Sequence, residues 1–295
     1  MRLRQKDRQS LLGYVLILPT FIFLGIFMLR PLIETVLYSF QKRSLLNPDA
    51  PTQYVGLSNW RKLFGNSSFF PDLRNTIVLS VASTVTQILL GLAIALMLNR
   101  RFPLRSWVRA IAILPWAMPT IAAAFVFRWI FDASFGTANT ILNQMGIEPI
   151  AWLGTPTLAM FSLILVHVWK GLPFVILVFL AALQSVPIEQ YEAARVDGAS
   201  KWIEFRFITL PSIRFVVTII FVLRIIWTFN WFDLTFMLTG GGPGTSTMTL
   251  PLDVYTQAFR NYDVGMASTF AAFMSLVLLI FAIWFLRLNR KAQGE

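Results

Sequence analysis

Six stretches of about 20 mostly apolar residues restrict the fold of this 295-residue chain more than any other feature. Each can cross a hydrocarbon core about 30 Å thick as a helix. The chain is 56% hydrophobic and only 13% charged, and a soluble domain can hardly hide that much apolar surface. The sequence therefore predicts an all-α polytopic membrane protein with six transmembrane helices. The predicted spans are Leu11–Leu29, Thr76–Leu98, Ala110–Phe127, Thr157–Ala182, Phe215–Met237 and Ser268–Leu286.

The basic residues predict how these spans are oriented. The chain has 25 Lys and Arg against 14 Asp and Glu, a net charge of +11. Most of the excess falls before the first span, after the sixth, and in the second and fourth connections, and cytoplasmic segments collect Lys and Arg in this way. We therefore expect both termini inside the cell, with cytoplasmic ends at residues 1–10 and 287–295 around a transmembrane domain at 11–286. The charge is a topology signal, so we expect membrane lipid and no nucleic acid as a partner.

Four prolines lie inside the predicted spans, namely Pro19, Pro115, Pro119 and Pro173. A proline leaves a helix carbonyl without its partner, and hydrocarbon cannot satisfy that carbonyl. Such turns therefore usually face a neighbouring helix or a wet cavity. A simple packing kink is the alternative interpretation for each.

The connection at about 185–211, between the fourth and fifth spans, has the pattern of two short helices around a glycine. Ser185 is expected to cap the first helix, with Pro187 in its first turn. Gly198 is expected to end it in a left-handed conformation, and a second helix is expected from Ser200 to just before Pro211. Two interpretations remain open on physical grounds: a docking site for soluble machinery, or an amphipathic connector at the lipid interface.

The same connection resembles the EAA loop of permease subunits of ABC importers. Glu192-Ala193-Ala194, three residues, Gly198, nine residues and Ile208-Thr-Leu210-Pro211 follow its pattern without a gap. Other segments are similar to carbohydrate-uptake permeases of the maltose-transporter type, from about Leu11 to Leu286. They are Tyr54-Val-Gly-Leu-Ser-Asn-Trp60, Arg74-Asn75-Thr76, Trp169-Lys170-Gly171, Phe232-Asp233 and Leu238-Thr-Gly-Gly-Gly-Pro243. The short N-terminal segment departs from the maltose permease and suggests a compact six-helix version.

This resemblance implies a type I ABC importer permease in the inner membrane of a bacterial or archaeal cell. It implies alternating access for a sugar or oligosaccharide, coupled through the EAA loop to a separate ATPase. The implied partners are a second homologous permease in a heterodimeric pore, two ATP-binding-cassette ATPase subunits that hold ATP and Mg, and an extracytoplasmic solute-binding protein. The implied ATPase-coupling residues are Glu192, Ala193, Ala194, Asp197, Gly198, Ile208, Leu210 and Pro211.

Polar and aromatic residues form one stripe on the fourth span and one on the fifth. At 1.5 Å per residue, Lys170 lies about 18 Å and Arg224 about 14 Å from the cytoplasmic ends of their spans. Ionisable groups at such depth normally face protein or a water-filled cavity, and the resemblance places ligand contacts on these two helices. The alternative is that both cations pair with carboxylates or helix carbonyls and touch no substrate. The candidate substrate-pathway residues are His167, Lys170, Gly171, Phe174, Arg224, Trp227, Thr228 and Trp231.

The outer run Gly240-Gly-Gly-Pro-Gly244 has two interpretations as well. Glycine and proline usually mark an ordinary surface turn. The resemblance implies instead a contact with the external solute-binding protein.

Sequence patterns for catalysis are absent. The chain has no phosphate loop, no nucleophile elbow, no Cys and a single His167. We therefore predict a transport subunit, not an enzyme, with no cofactor or metal in this chain. Two other functions remain open: an importer of glycerol phosphate or another anionic small solute, since Lys170, Arg224 and His167 make the pathway positive, and an ion-coupled secondary transporter.

Overall fold

The computed structural model of the chain describes residues 5–47, 51–100 and 102–292. The outermost residues of both expected cytoplasmic ends and Arg101 lie outside that part of the chain. In the described part, helices dominate, and two short strands, β1 (Gln41–Lys42) and β2 (Gln53–Tyr54), pair antiparallel. The α-helices are α1 (Gln5–Leu24), α2 (Arg30–Tyr38), α3 (Ser58–Gly65), α4 (Phe69–Asn99), α5 (Arg105–Ala117), α6 (Thr120–Ile130), α7 (Thr137–Gln144), α8 (Pro156–Gln184), α9 (Ile188–Val196), α10 (Lys201–Ile203), α11 (Leu210–Phe229), α12 (Asp233–Leu238), α13 (Leu250–Tyr255) and α14 (Val264–Ala292). Three π-helical turns cover Gly25–Leu29, Glu204–Thr209 and Thr256–Arg260.

Five helical segments of the described chain are long and apolar enough to cross a membrane, and α5 with α6 makes a sixth if the pair counts as one span. Each predicted span coincides with one of them, so the six-helix prediction is confirmed. The third span is sharply bent, since α5 and α6 meet at 98° at Met118 and Pro119. The other two prolines behave differently, because α1 continues past Pro19 and α8 past Pro173. Of the four prolines, only Pro115 and Pro119 thus accompany a break in a helix.

The fifth span differs from its predicted bounds at both ends. One helical segment runs from Lys201 to Phe229 and includes the π-helical turn. The prediction that a separate helix stops before Pro211 is wrong, because Pro211 lies in the first turn of α11, where proline's missing N–H costs little. The predicted end at Met237 is also wrong: α11 ends at Phe229, and α12 is a separate short helix.

The described chain forms two compact units. The first is drawn from Met1–Ser67 and Asp253–Val277. At its centre, the Ser39 carbonyl accepts hydrogen bonds from Asn59 Nδ2 (3.0 Å) and Thr269 Oγ1 (3.3 Å). Asn59 also donates to the Gln41 carbonyl at 2.9 Å. The Tyr54–Trp60 motif thus ties the segment around β1 and β2 to the start of α14.

The second unit contains Ser68–Leu252 and Leu278–Glu295 and is built on α4, α8 and α11. A Cβ on Gly91 of α4 would lie 2.6 Å from Val175 Cγ1 of α8, so glycine is needed where these helices touch. Ser80, Ser83 and Thr84 are buried on α4, and small residues of this kind let membrane helices approach closely. The apolar cluster of this unit includes Ala95, Leu98, Ile176, Phe179, Leu183, Ile213 and Ile220.

Candidate functional site

A cavity of about 470 Å³ lies where the broken third span meets α8 and α11. One wall is the α5–α6 break itself, and the other two walls are helix faces. Six of the eight predicted pathway residues line it, and the remaining lining residues all come from the break. The lining residues are Trp116, Ala117, Met118, Pro119, Thr120, Lys170, Gly171, Phe174, Arg224, Trp227 and Trp231.

Lys170 holds the break in place. Its Nζ donates to the Pro115 carbonyl at 3.0 Å and to the Trp116 carbonyl at 3.4 Å, and it also contacts the Met118 carbonyl. Pro119 has no N–H and so leaves the Pro115 carbonyl without its helical partner. Lys170 is 7% exposed, and its ammonium replaces the missing backbone donor. Of the two alternatives for this residue, pairing with helix carbonyls is what the structure shows, although Lys170 also lines the cavity.

Arg224 is held by Gln87, a residue of α4. Arg224 Nε donates to Gln87 Oε1 at 2.6 Å, and Gln87 Nε2 donates to the His167 carbonyl at 2.7 Å. Gln87 therefore joins α4, α8 and α11 with one amide. Gly171 makes room for this arrangement, because a Cβ there would collide with both the guanidinium and the amide.

Two predicted pathway residues lie behind the cavity wall. His167 is fully buried, and its Nε2 is 3.5 Å from Thr235 Oγ1. Thr228 is also buried. Neither lines the cavity. Helix periodicity correctly predicts the side of α8 and α11 on which they lie, but it does not predict that they are buried behind the residues that line the cavity.

Aromatic rings cover the Arg224 guanidinium and much of the remaining surface. The Arg224 guanidinium carbon lies 5.8 Å from the Trp227 ring centroid and 5.7 Å from that of Trp231, within the range of a cation–π contact. Phe174 packs against Trp227 with ring centroids 4.9 Å apart, and His167 packs edge-on against Trp231 at 4.8 Å. The two predicted stripes are thus one interlocked cluster.

The wall at Trp116–Thr120 and the role of Gln87 were not predicted. Pro115 and Pro119 were the available signal for the wall, since freed carbonyls call for a donor. Gln87 was visible as an amide in the middle of an otherwise apolar stretch. Which helices it joins depends on packing across the chain, which periodicity does not report.

The connection between α8 and α11 closes around Gly198. The Ala199 N–H donates to the Ala194 carbonyl at 2.8 Å and the Gly198 N–H to the Arg195 carbonyl at 3.1 Å, which is a Schellman motif at the end of α9. Gly198 has φ +79°, as this motif requires, so its predicted left-handed conformation is confirmed. The prediction for Ser185 is wrong: α9 begins at Ile188 without a side-chain cap, and Ser185 Oγ donates back to the Ala182 carbonyl at the end of α8. Ser200 does cap α10, accepting from the Ile203 N–H.

Two side-chain contacts tie α9 to the long fifth helix. Arg195 Nε lies 2.8 Å from Glu204 Oε1, and Lys201 Nζ lies 3.3 Å from Glu204 Oε2. The hydrogen bond to Glu204 holds the pKa of Arg195 above its ordinary value. Tyr191 and Thr209 share a hydroxyl hydrogen bond of 3.0 Å. Since Glu204 and Thr209 lie in the π-helical turn that leads into α11, α9 is fastened to the start of that helix.

The predicted coupling residues divide by exposure. Glu192, Ala193, Asp197 and Gly198 are exposed on and after α9, and Pro211 is exposed on α11. Ala194, Ile208 and Leu210 are half-buried. The first group is open to a partner, whereas the second packs the connection together.

The outer glycine run is a packed loop anchored on α4. Asn75 Nδ2 donates to the Met248 carbonyl at 3.0 Å, and Thr76 Oγ1 accepts from the Leu250 N–H at 2.9 Å. Gly240, Gly241 and Gly244 adopt positive φ of 60°, 92° and 60°. The Arg74-Asn75-Thr76 motif therefore positions this loop, which is more ordered than an ordinary surface turn.

A bent helix pair beside a cavity, with an exposed helical connection fastened to one wall, is the arrangement expected of the permease subunit of a solute importer. In the described part of the chain, no group of three or more His, Cys, Asp or Glu side chains could hold a metal ion. The family described as binding-protein-dependent transport system inner membrane component matches residues 87–293, and the chain belongs to this family. The predictions of a transport subunit, of an ABC importer permease and of an inner-membrane location are confirmed. Membership also implies a partner ATPase and a solute-binding protein.

Similar proteins agree with this assignment over nearly the whole chain. The trehalose/maltose transport system permease protein MalF of Thermococcus litoralis is 36% identical, over 97% of this chain and 96% of the relative. The sulfoquinovosyl glycerol transport system permease protein SmoG of Agrobacterium fabrum is 33% identical, over 95% and 91%. A chain in the crystal structure of a bacterial alginate ABC transporter in complex with an alginate pentasaccharide-bound periplasmic protein is 25% identical, with a TM-score of 0.86 over 99% of this chain and 98% of that one.

Proposed function

We propose that this chain moves a sugar or oligosaccharide across the inner membrane through the cavity between the α5–α6 break, α8 and α11. The relatives named above are, by their names, permeases or transporters for saccharides and glycosides. The observation that carries the proposal is the cavity's composition: tryptophan and phenylalanine faces around two buried cations whose positions are fixed by the protein. Aromatic faces stack on the apolar faces of sugar rings, and the polar groups between them bind hydroxyls.

The fixed cations present hydrogen-bond donors to a hydroxylated ligand. Lys170 and Arg224 already donate to carbonyl and amide oxygens, so part of their hydrogen-bonding capacity is used by the protein. Their remaining donors suit the hydroxyl oxygens of a saccharide. Trp227 and Trp116 are about half exposed, at 46% and 58%, and are the surfaces most available for stacking.

We further propose that α9 receives the movement of an ATPase and passes it to the cavity along the fifth helix. Glu192, Ala193, Asp197 and Gly198 provide the exposed contact surface, and Glu204 anchors α9 to the helix. From Glu204 to Arg224 a helix rises about 30 Å at 1.5 Å per residue. A rigid segment of that length joins the connection to the cavity, as alternating access around a central site requires.

The proposed complex contains a second homologous permease, two ATPase subunits and an extracytoplasmic solute-binding protein. The first predicted span supports this, because no residue of its apolar window is buried within the chain. Such a surface needs lipid or a second membrane subunit to cover it. The packed outer loop around Gly241 is the proposed contact for the solute-binding protein.

The proposal is tested with the purified complex in proteoliposomes, by ATP-dependent uptake of a panel of labelled di- and oligosaccharides. Trp227→Ala removes a stacking face and is expected to lower uptake at least about fivefold, since a stacked aromatic contributes roughly 1–3 kcal/mol. Trp129→Ala is the matched control, because Trp129 is exposed on α6 and does not line the cavity. Equal uptake by both variants would contradict the proposed pathway.

An anionic solute such as glycerol phosphate is the second candidate. The observation in its favour is that the cavity lining contains Lys170 and Arg224 and no Asp or Glu. Competition separates the candidates: if glycerol phosphate blocks uptake and saccharides do not, the anionic small solute is selected.

A further inference from the structure

A second, larger cavity of about 1310 Å³ lies at the C-terminal end of α8, farther along that helix than the cavity described above. Its walls are the end of α4, the start of α5, the end of α8, and α9 with the beginning of the fifth helix. All of these segments belong to the regions that the basic residues assign to the cytoplasmic side. The cavity therefore lies at the level of the inner lipid headgroups.

Positive charge dominates this cavity. Five basic side chains line it, Arg100, Arg105, Arg109, Arg195 and Lys201, against one acidic side chain. That carboxylate, Glu204, is already bonded to Arg195 and Lys201. Among the described lining residues, no acidic group is left for the remaining three arginines.

Two of the three arginines, Arg105 and Arg109, are held together in spite of their mutual repulsion. Arg105 Nε and Arg109 Nη2 both donate to the Leu98 carbonyl, at 2.8 Å and 3.1 Å. The negative end of the α4 dipole offsets about half a charge. Arg109 Nε is nevertheless buried without a hydrogen-bond partner, and like charges four residues apart on a helix destabilise it. A site with spare donors and uncompensated positive charge is suited to an anion.

Apolar side chains make up about half of the remaining lining. Leu96, Leu183, Val186, Ile188 and Phe205 share the walls with the arginines. Trp202 lies on the same wall and is 69% exposed, as is usual for tryptophan at a membrane interface. A ligand that satisfies both parts of the lining has an anionic head and an apolar tail.

We propose that this cavity binds the phosphate headgroup of an anionic phospholipid from the inner leaflet, with Arg100, Arg105 and Arg109 as its ligands. Basic pockets between the cytoplasmic ends of membrane helices bind such headgroups. A free phosphate shares the head chemistry but leaves the apolar part of the lining uncovered. Because α9 forms one wall, the bound lipid also supports the connection that carries the exposed coupling surface.

The test is native mass spectrometry of the whole importer complex in detergent, titrated with phosphatidylglycerol, phosphatidylcholine or inorganic phosphate. Wild type is expected to retain phosphatidylglycerol and not phosphatidylcholine. Each neutralised arginine is expected to weaken retention about fivefold, so Arg100→Gln with Arg105→Gln weakens it about 25-fold. Arg128→Gln is the matched control, since Arg128 is exposed at the end of α6 and lies outside the cavity.

Arg100→Gln alone keeps the test decisive if the double variant fails to assemble. Arg100 is exposed and, in the described contacts, does not donate to the Leu98 carbonyl, so its replacement leaves the end of α4 intact. Equal retention by Arg100→Gln and Arg128→Gln overturns the proposal. Displacement of phosphatidylglycerol by millimolar inorganic phosphate overturns the assignment to a lipid. Retention by the permease pair but not by the complex with its ATPases overturns it as well, because the ATPase then fills the cavity. These outcomes measure lipid retention alone, so they do not bear on the proposed sugar pathway.

Discussion

Replacing Lys170 by methionine tests whether its ammonium maintains the break between α5 and α6. Methionine keeps the length and apolar stem of the side chain but removes the donor. The Pro115 and Trp116 carbonyls, 3.0 Å and 3.4 Å from Nζ, then lose their protein donor.

The expected cost follows from those contacts. A hydrogen bond to a charged group contributes about 1.5–3 kcal/mol in soluble proteins, but side-chain hydrogen bonds between membrane helices average only about 0.6 kcal/mol and reach about 1.7. Three carbonyl contacts at the membrane value sum to about 2 kcal/mol. Removing a buried charge also removes its desolvation cost, which offsets part of that loss. We therefore expect the bent conformation to be destabilised by about 1–2 kcal/mol relative to a straighter span. This corresponds to a factor of about 5 to 30 in the ratio of the two populations.

The assay has two readouts. Sugar uptake by the purified complex in proteoliposomes is expected to fall by that factor. The distribution of distances between spin labels on α6 and α8 is expected to broaden. Lys170→Arg should recover part of both, since a guanidinium also donates to several carbonyls. Lys62→Met, on the exposed face of α3, is the charge-matched control. Wild-type uptake and an unchanged distance distribution for Lys170→Met would refute the argument that the ammonium fixes the break.

Three further substitutions probe the other contacts of the site. Gly171→Ala places a methyl group against the guanidinium and the amide described above and should destabilise the protein by about 1–3 kcal/mol in thermal unfolding; Gly13→Ala, with open space around it, should change little. Gly198→Ala has room for its methyl group but must hold φ +79°, which costs about 1–2 kcal/mol. We therefore expect normal membrane insertion with weaker stimulation of the ATPase by substrate. Normal stimulation would count against a coupling role. Glu204→Gln removes the anchor of α9 and should raise ATP hydrolysis per sugar transported, whereas Glu34→Gln, in an exposed pair with Arg30, should not change that ratio.

The membrane spans could be predicted from sequence because the bilayer imposes a local rule: about 20 apolar residues make a crossing helix. The same reasoning gave wrong ends for the fifth span, because those helix ends depend on tertiary contacts. Pro211 ends no helix because the π-helical turn before it continues smoothly into α11. Phe229 ends one because Asn230 and the residues after it depart from helical geometry before α12, although hydropathy stays high through Met237.

The candidate site shows the same division. Spacing along one helix face, with membrane depth and the family resemblance, selected Lys170, Phe174, Arg224 and Trp227. Spacing did not show that Pro115 supplies the carbonyl that Lys170 satisfies, because that contact joins residues 55 positions apart. His167 was selected as part of the same stripe, and the structure places it in the packing behind the cavity. Local patterns identify which helix faces inward, whereas only packing determines which inward side chain reaches the cavity.

The contacts at the two ends of the fifth helix explain how one helix joins the proposed ATPase contact on α9 to the proposed pathway. At one end, Glu204 and Thr209 fasten α9 to the helix through an ion pair and a hydroxyl contact. At the other, Arg224 bonds to Gln87, whose amide also bonds to α8. A rotation of the helix cannot leave the second set of contacts unchanged, because Gly171 allows no slack around the guanidinium. Movement imposed on α9 must therefore either carry α4 and α8 with it or break the Arg224–Gln87 hydrogen bond, and either response alters the cavity that Arg224 lines.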